Sequence, residues 1–112
     1  MQHLTVQQRK RVGAHYTPLA LAAFVARKMC EVAEIRPEAA PLRVLDPAVG
    51  DGALLCALLK EIRSRRPTRV ETAAFDTDLT ALRQAEVRVA STSHPDVAAS
   101  WYKENFLDYA LA

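Results

Sequence analysis

Val44-Leu45-Asp46-Pro47-Ala48-Val49-Gly50-Asp51-Gly52-Ala53-Leu54-Leu55 decides the reading of this chain. A short apolar run ends in an acid, a tight turn carries two glycines, and an apolar helical pattern follows. Of the three glycines in 112 residues, two fall in this turn. Glycine costs chain entropy, so it concentrates where a positive φ or a close backbone approach is required. A strand, a glycine turn and a helix start build a pocket of backbone N–H groups at a positive helix end, the framework of a nucleotide or cofactor site. The turn is shorter than G-x-G-x-x-G and lacks the Lys and Ser/Thr of a P-loop, so neither a dinucleotide nor a nucleoside triphosphate is the expected ligand.

Working outward, Leu42 to Asp46 reads as the first strand, apolar as for a strand covered on both faces. A helix follows from about Gly52 to Arg65 with Leu55, Leu58, Leu59 and Ile62 as its buried stripe, ended by Pro67. Arg69 to Asp76 is the second strand. Thr77 or Asp78 caps a third helix running to about Ser91, whose inner face is Leu82, Ala85 and Val89. Ser93 to Ala99 reads as a connector around Pro95, and Ser100 to Glu104 as a short third strand. Upstream, Thr17-Pro18 opens the first helix as N-cap and first helical residue, with Leu21, Val25, Met29 and Val32 at helical spacing. Residues 1–15 read as a loosely ordered or partner-dependent arm, and residues 16–112 as one α/β unit. Helices alternating with strands, joined by right-handed crossovers, build a parallel sheet.

Composition fits one globular domain or a piece of one: half of the residues are hydrophobic and a quarter charged. No apolar run approaches the roughly 20 residues that span a membrane, and the polar, basic start is unlike a signal peptide. Cys30 and Cys56 lie in helical patterns without a CxxC pair, which predicts buried reduced thiols, no metal site and a cytoplasmic setting. The net charge of +2 carries no argument for nucleic acid. Arg9, Lys10 and Arg11, and later Arg63, Arg65, Arg66 and Arg69, form basic clusters that fit a solvated surface better than a DNA footprint.

Asp76, at the end of the second strand in Phe75-Asp76-Thr77-Asp78, stands where a carboxylate accepts from both ribose hydroxyls; the bland alternative for Asp76 and Asp78 is helix capping, the better reading for Asp78. Asp46-Pro47-Ala48-Val49-Gly50-Asp51-Gly52 resembles the S-adenosylmethionine turn, motif I, of DNA adenine methyltransferases. It departs from that family's common form at Val49, usually Cys, and at Asp51, usually Ser or Thr. Asp51 brings a negative charge toward the methionine end of the cofactor. Gly13-Ala14-His15-Tyr16-Thr17-Pro18 resembles the family's motif X, which closes over the methionine moiety and accounts for the third glycine. Asn105-Phe106-Leu107-Asp108 resembles the family's Asp-Phe-Leu, where the acid meets the adenine amine and the aromatic packs on the ring. Asn105 replaces that acid, and its amide oxygen retains the accepting role. Phe106, judged alone, is ordinary core.

The resemblance implies a partial Rossmann-like methyltransferase fold of three parallel strands, order 3-2-1, with flanking helices. It implies a cofactor site of Tyr16, Thr17, Pro18, Asp46, Pro47, Ala48, Gly50, Gly52, Asp76, Thr77, Asn105 and Phe106, with S-adenosylmethionine as the cofactor. The family's catalytic Asn/Asp-Pro-Pro-Tyr is missing, since no Pro-Pro pair occurs. Catalytic residues are therefore not expected in this chain, nor is a target-recognition domain. The function implied is the cofactor-binding portion of a site-specific adenine N6-methyltransferase of a restriction–modification system, inactive alone. DNA is the partner of the complete enzyme, and the remaining half or a second chain is the partner of this piece. A homo-oligomer through the first-strand edge is a further expectation. The alternatives are a non-catalytic nucleoside- or cofactor-binding module that assembles with a second chain, and a fragment of an RNA or protein methyltransferase.

Overall fold

The computed structural model describes residues 17–33, 41–65, 69–92 and 96–111. The expected arm at 1–15, and Tyr16, lie outside the described residues. The elements are α1 (Leu19–Ala33), β1 (Leu42–Asp46), α2 (Ala53–Arg65), β2 (Val70–Phe75), α3 (Leu79–Ser91), β3 (Val97–Tyr102) and α4 (Phe106–Leu111). The strands form one parallel sheet in the order β1-β2-β3. Leu42 pairs with Val70, and Val70 in turn with Val97. The expected sheet, order and strand direction are those observed.

Right-handed crossovers taken twice in the same direction across a sheet place their helices on the same face. Burial agrees. Leu42, Val44, Val70, Ala74, Val97 and Trp101 point into a core shared with Leu55, Leu58, Leu59 and Ile62 of α2, and Leu82, Ala85 and Val89 of α3. Phe75, Leu55, Leu59 and Ile62 are the largest fully buried side chains; burying each contributes about 1.5–3 kcal/mol. The opposite face, with Arg43, Leu45, Glu71, Ala73, Ala98 and Ser100, is open. β1 therefore alternates between half-buried and exposed residues and is not covered on both faces as its apolar sequence suggested. Leu45 is 52% exposed.

Four further expectations are corrected. The face of α1 that enters the core is Ala22, Ala26 and Cys30, whereas Leu21, Met29 and Val32 are exposed. Small side chains let α1 approach α2 closely, so packing distance overrode the size of the apolar residues. The third strand starts at Val97 rather than Ser100, because Val97, Ala98 and Ala99 complete the ladder against Val70, Glu71 and Thr72. Phe106 to Leu111 is a helix where only a strand end was expected. Asn105 nucleates it by accepting from the N–H groups of Leu107 at 2.9 Å and Asp108 at 3.4 Å. At the other end of the chain, α1 starts at Leu19, and the Ala22 N–H donates to the Pro18 carbonyl, so Pro18 sits just ahead of the first helical residue.

Candidate cofactor site

In open parallel sheets ligands bind beyond the carboxyl ends of the strands, and here those ends carry Asp46, Asp76 and, after β3, Glu104 and Asn105. A groove of about 490 Å³ runs along them, lined by Pro47, Ala48, Thr77, Glu104, Asn105, Phe106 and Leu107. It thus gathers five of the residues singled out from the sequence: Pro47, Ala48, Thr77, Asn105 and Phe106. Glu104 and Leu107 were missed, although Glu104 carries the signal of an acid at a strand's carboxyl end. Thr17 and Pro18 head α1 and are not among the described residues that line this groove.

The glycine turn is built as its composition requires. Gly50 has φ 57° and Gly52 φ 85°, a region that residues with a Cβ enter at a cost. Gly52 has a second reason to be glycine: a Cβ placed there would lie 2.8 Å from the Ala85 Cα and 2.9 Å from its Cβ. The turn is pressed directly against the α3 backbone.

Five of the N–H groups at the described turn are spent inside it. Ala48 N–H donates to Asp46 Oδ1 at 3.1 Å, Val49 N–H to the Phe75 carbonyl at 2.9 Å, and Gly50 N–H to Asp76 Oδ2 at 2.9 Å. Gly52 N–H donates to the Val49 carbonyl and Ala53 N–H to Asp51 Oδ1. These five bonds prebuild the turn.

Asp76 is buried, and both of its oxygens already accept, Oδ2 from Gly50 and Oδ1 from the Asp78 N–H at 2.8 Å. It braces the turn to the end of β2, and a ribose would use its remaining lone pairs. Asp78 caps α3, accepting from Thr80 and Ala81. Asp46 has its carboxyl pushed up, first by burial, against the Ala48 hydrogen bond, and further by the nearby charge of Asp76. Two carboxylates crowded at adjacent strand ends favour a cation between them. Asn105 spends its amide oxygen on capping α4. Phe106 both lines the groove and packs edge-on against Phe75, with ring centroids 5.2 Å apart. Phe75 also stacks on Tyr102 at 4.7 Å, so Phe106 is anchored to an aromatic cluster behind the groove. Cys30 and Cys56 are free thiols, Cys30 buried and Cys56 half-buried, and burial pushes the pKa of both up. Among the described residues no group of His, Cys, Asp and Glu is arranged to hold a metal ion, and no helix is long and apolar enough to cross a membrane.

No protein-family model matches the chain. It superposes with a TM-score of 0.65 on a crystal structure from Listeria monocytogenes assigned as a class I S-adenosylmethionine-dependent methyltransferase. That match covers 95% of this chain and 29% of the other, at 19% identity. The fold is that of a class I methyltransferase. Over 93 residues the chain is also 30% identical to the type II methyltransferase M.BanIII of Aneurinibacillus aneurinilyticus. The match takes in 80% of this chain and 16% of that relative, so the chain spans a small fraction of the relative's length. In this methyltransferase fold Pro47 and Ala48 after β1 and Thr77 after β2 line the groove, whereas Asp46, Gly50, Gly52 and Asp76 are not among its lining residues.

Proposed function

We propose that this chain is the S-adenosylmethionine-binding portion of a DNA methyltransferase, specific for the N6 amine of adenine and belonging to a restriction–modification system. The observation that carries the reading is the glycine turn locked to Asp76 at the mouth of the groove of Pro47, Ala48, Thr77, Asn105 and Phe106. The groove falls within the size range of small-molecule sites. The Glu104 carboxylate on its lining, with Asp46 and Asp76 at the neighbouring strand ends, fits a ligand that carries a sulfonium and an ammonium. Bound there, the cofactor supplies a methyl group made electrophilic by the sulfonium. Asp76 keeps the turn in place and offers lone pairs to ribose hydroxyls. Phe106 offers its ring to the adenine, and Thr77 and Glu104 supply polar groups along the rim.

The type II methyltransferase relative, together with the Gly13 to Pro18 and Asp46 to Gly52 motifs, supports DNA as the substrate of the complete enzyme. No residue here is assigned to activating the adenine amine, since the chain contains no Pro-Pro pair. The open sheet face and the unpaired side of β1, among the described residues, support a complement supplied by further polypeptide or a second chain. Calorimetric titration with S-adenosylmethionine tests the binding role. We expect micromolar or weaker affinity, lowered at least tenfold by Asp76→Ala. Equal affinity for the two proteins would remove Asp76 from the site.

A further inference from the structure

Asp51 stands between the two glycines of the turn and is 7% exposed. An acid there threatens the site twice, as an unpaired buried charge and as a repulsive neighbour for a ligand carboxylate. The structure resolves both problems with one residue of α3. Asp51 Oδ1 accepts from the Ala53 N–H at 3.1 Å, and Oδ2 accepts from Arg88 Nη2 at 3.4 Å. Arg88 lies one turn beyond Ala85, whose backbone meets Gly52. α3 therefore holds the turn twice, by packing at Ala85 and by charge at Arg88. Asp51 lines a separate depression with Thr80, Arg83, Gln84, Val87 and Arg88, outside the groove of Pro47, Thr77 and Phe106. Its carboxylate thus faces α3 rather than the groove.

We infer that Arg88 is a positioning residue for the cofactor turn, acting through Asp51: it neutralises the acid, holds it against the start of α2 and keeps it away from the ligand. Arg88 does not line the groove itself. Its effect on binding should therefore exist only while residue 51 is acidic. This inference rests on the cofactor reading above, and the two can fail separately.

The test is a double-variant comparison on the full chain. S-adenosylmethionine affinity is measured for Arg88→Ala, Arg88→Lys, Asp51→Ser and the Asp51→Ser/Arg88→Ala pair, and hydrogen exchange is followed at the Gly52 and Ala53 amides of the free proteins. Arg88→Ala should weaken binding about tenfold, Arg88→Lys should restore most of it, and in the Asp51→Ser background Arg88→Ala should change affinity less than twofold. Equal weakening in both backgrounds would show that Arg88 touches the ligand directly and overturn the inference, as would no weakening in either. If the unmodified chain binds no cofactor, the functional reading falls, and exchange judges the positioning role. Ala53 exchange accelerated about tenfold by Arg88→Ala only beside Asp51 supports it, and unchanged exchange refutes it. Should Arg88→Ala fail to fold, Arg88→Gln carries the same comparison.

Discussion

Replacing Gly52 by Ala perturbs the turn at the point where geometry leaves least room. The new Cβ would lie 2.8 Å from the Ala85 Cα and 2.9 Å from the Ala85 Cβ, closer than carbon atoms approach, at a φ of 85°. The backbone conformation costs about 1–2 kcal/mol for a residue with a Cβ. Forcing a methyl into a packed region costs about 1–3 kcal/mol. Together these give a loss of about 2–5 kcal/mol, a large part of the roughly 5–15 kcal/mol that holds a typical domain. With a urea m-value of about 2 kcal/mol/M, the unfolding midpoint followed by circular dichroism should fall by about 1–2.5 M. Adding Ala85→Gly discriminates further. It removes the methyl of residue 85 from the clash but leaves the backbone of α3 in the way, and glycine within a helix costs about another 1 kcal/mol. The double variant should therefore be no more stable than Gly52→Ala. A midpoint unchanged by Gly52→Ala, or fully restored by Ala85→Gly, would refute the close approach of the turn to the α3 backbone.

Thr72 sits in the middle of β2 with its hydroxyl buried and without a hydrogen-bond partner among the described residues. Thr72→Val should stabilise the chain by about 1 kcal/mol and raise Tm by roughly 4–8 °C; a lower Tm would mean that the hydroxyl is paired. Asp46 has a folded-state carboxyl raised above its ordinary value of 3.8, mainly by burial. Its contribution to stability is present in full below that value and lost as pH rises through the raised one. Asp46→Asn should thus match the parent at acid pH and equal or exceed it in urea midpoint at pH 7, whereas a variant weaker only at pH 7 would contradict the sign. In a tritiated-methyl transfer assay on mixed-sequence DNA the chain alone should stay at background. Turnover above background would place adenine-activating groups within these residues.

What the sequence revealed was the part governed by local chemistry. The Asp46 to Gly52 turn, the α2 stripe of Leu55, Leu58, Leu59 and Ile62, and the Asp78 cap each follow from neighbouring residues, and each is where it was expected. Two misreadings came from partners distant in sequence. Large apolar residues on α1 suggested its inner face, but packing against α2 selected Ala22, Ala26 and Cys30. Val97-Ala98-Ala99 looked like a connector because alanine has little strand preference, and pairing with β2 made it strand. Within the site, Pro47, Ala48, Thr77, Asn105 and Phe106 were found by pattern and are brought together by the fold. The commitment of turn N–H groups to Asp46, Asp51 and Asp76 was not legible, since spacing cannot show which donors remain free.

The one-sided sheet also has a consequence in time. β1 pairs with β2, the next strand made, and β2 with β3, the next again, each across a single crossover helix. No pairing among the described strands waits for a distant partner, and the apolar face of α2 is sheltered as soon as β2 joins β1. During synthesis the glycine turn can lock onto Asp76 once β2 has emerged, before β3 exists. The lock between the turn and Asp76 thus does not depend on β3, whereas the groove is complete only with Glu104 to Leu107.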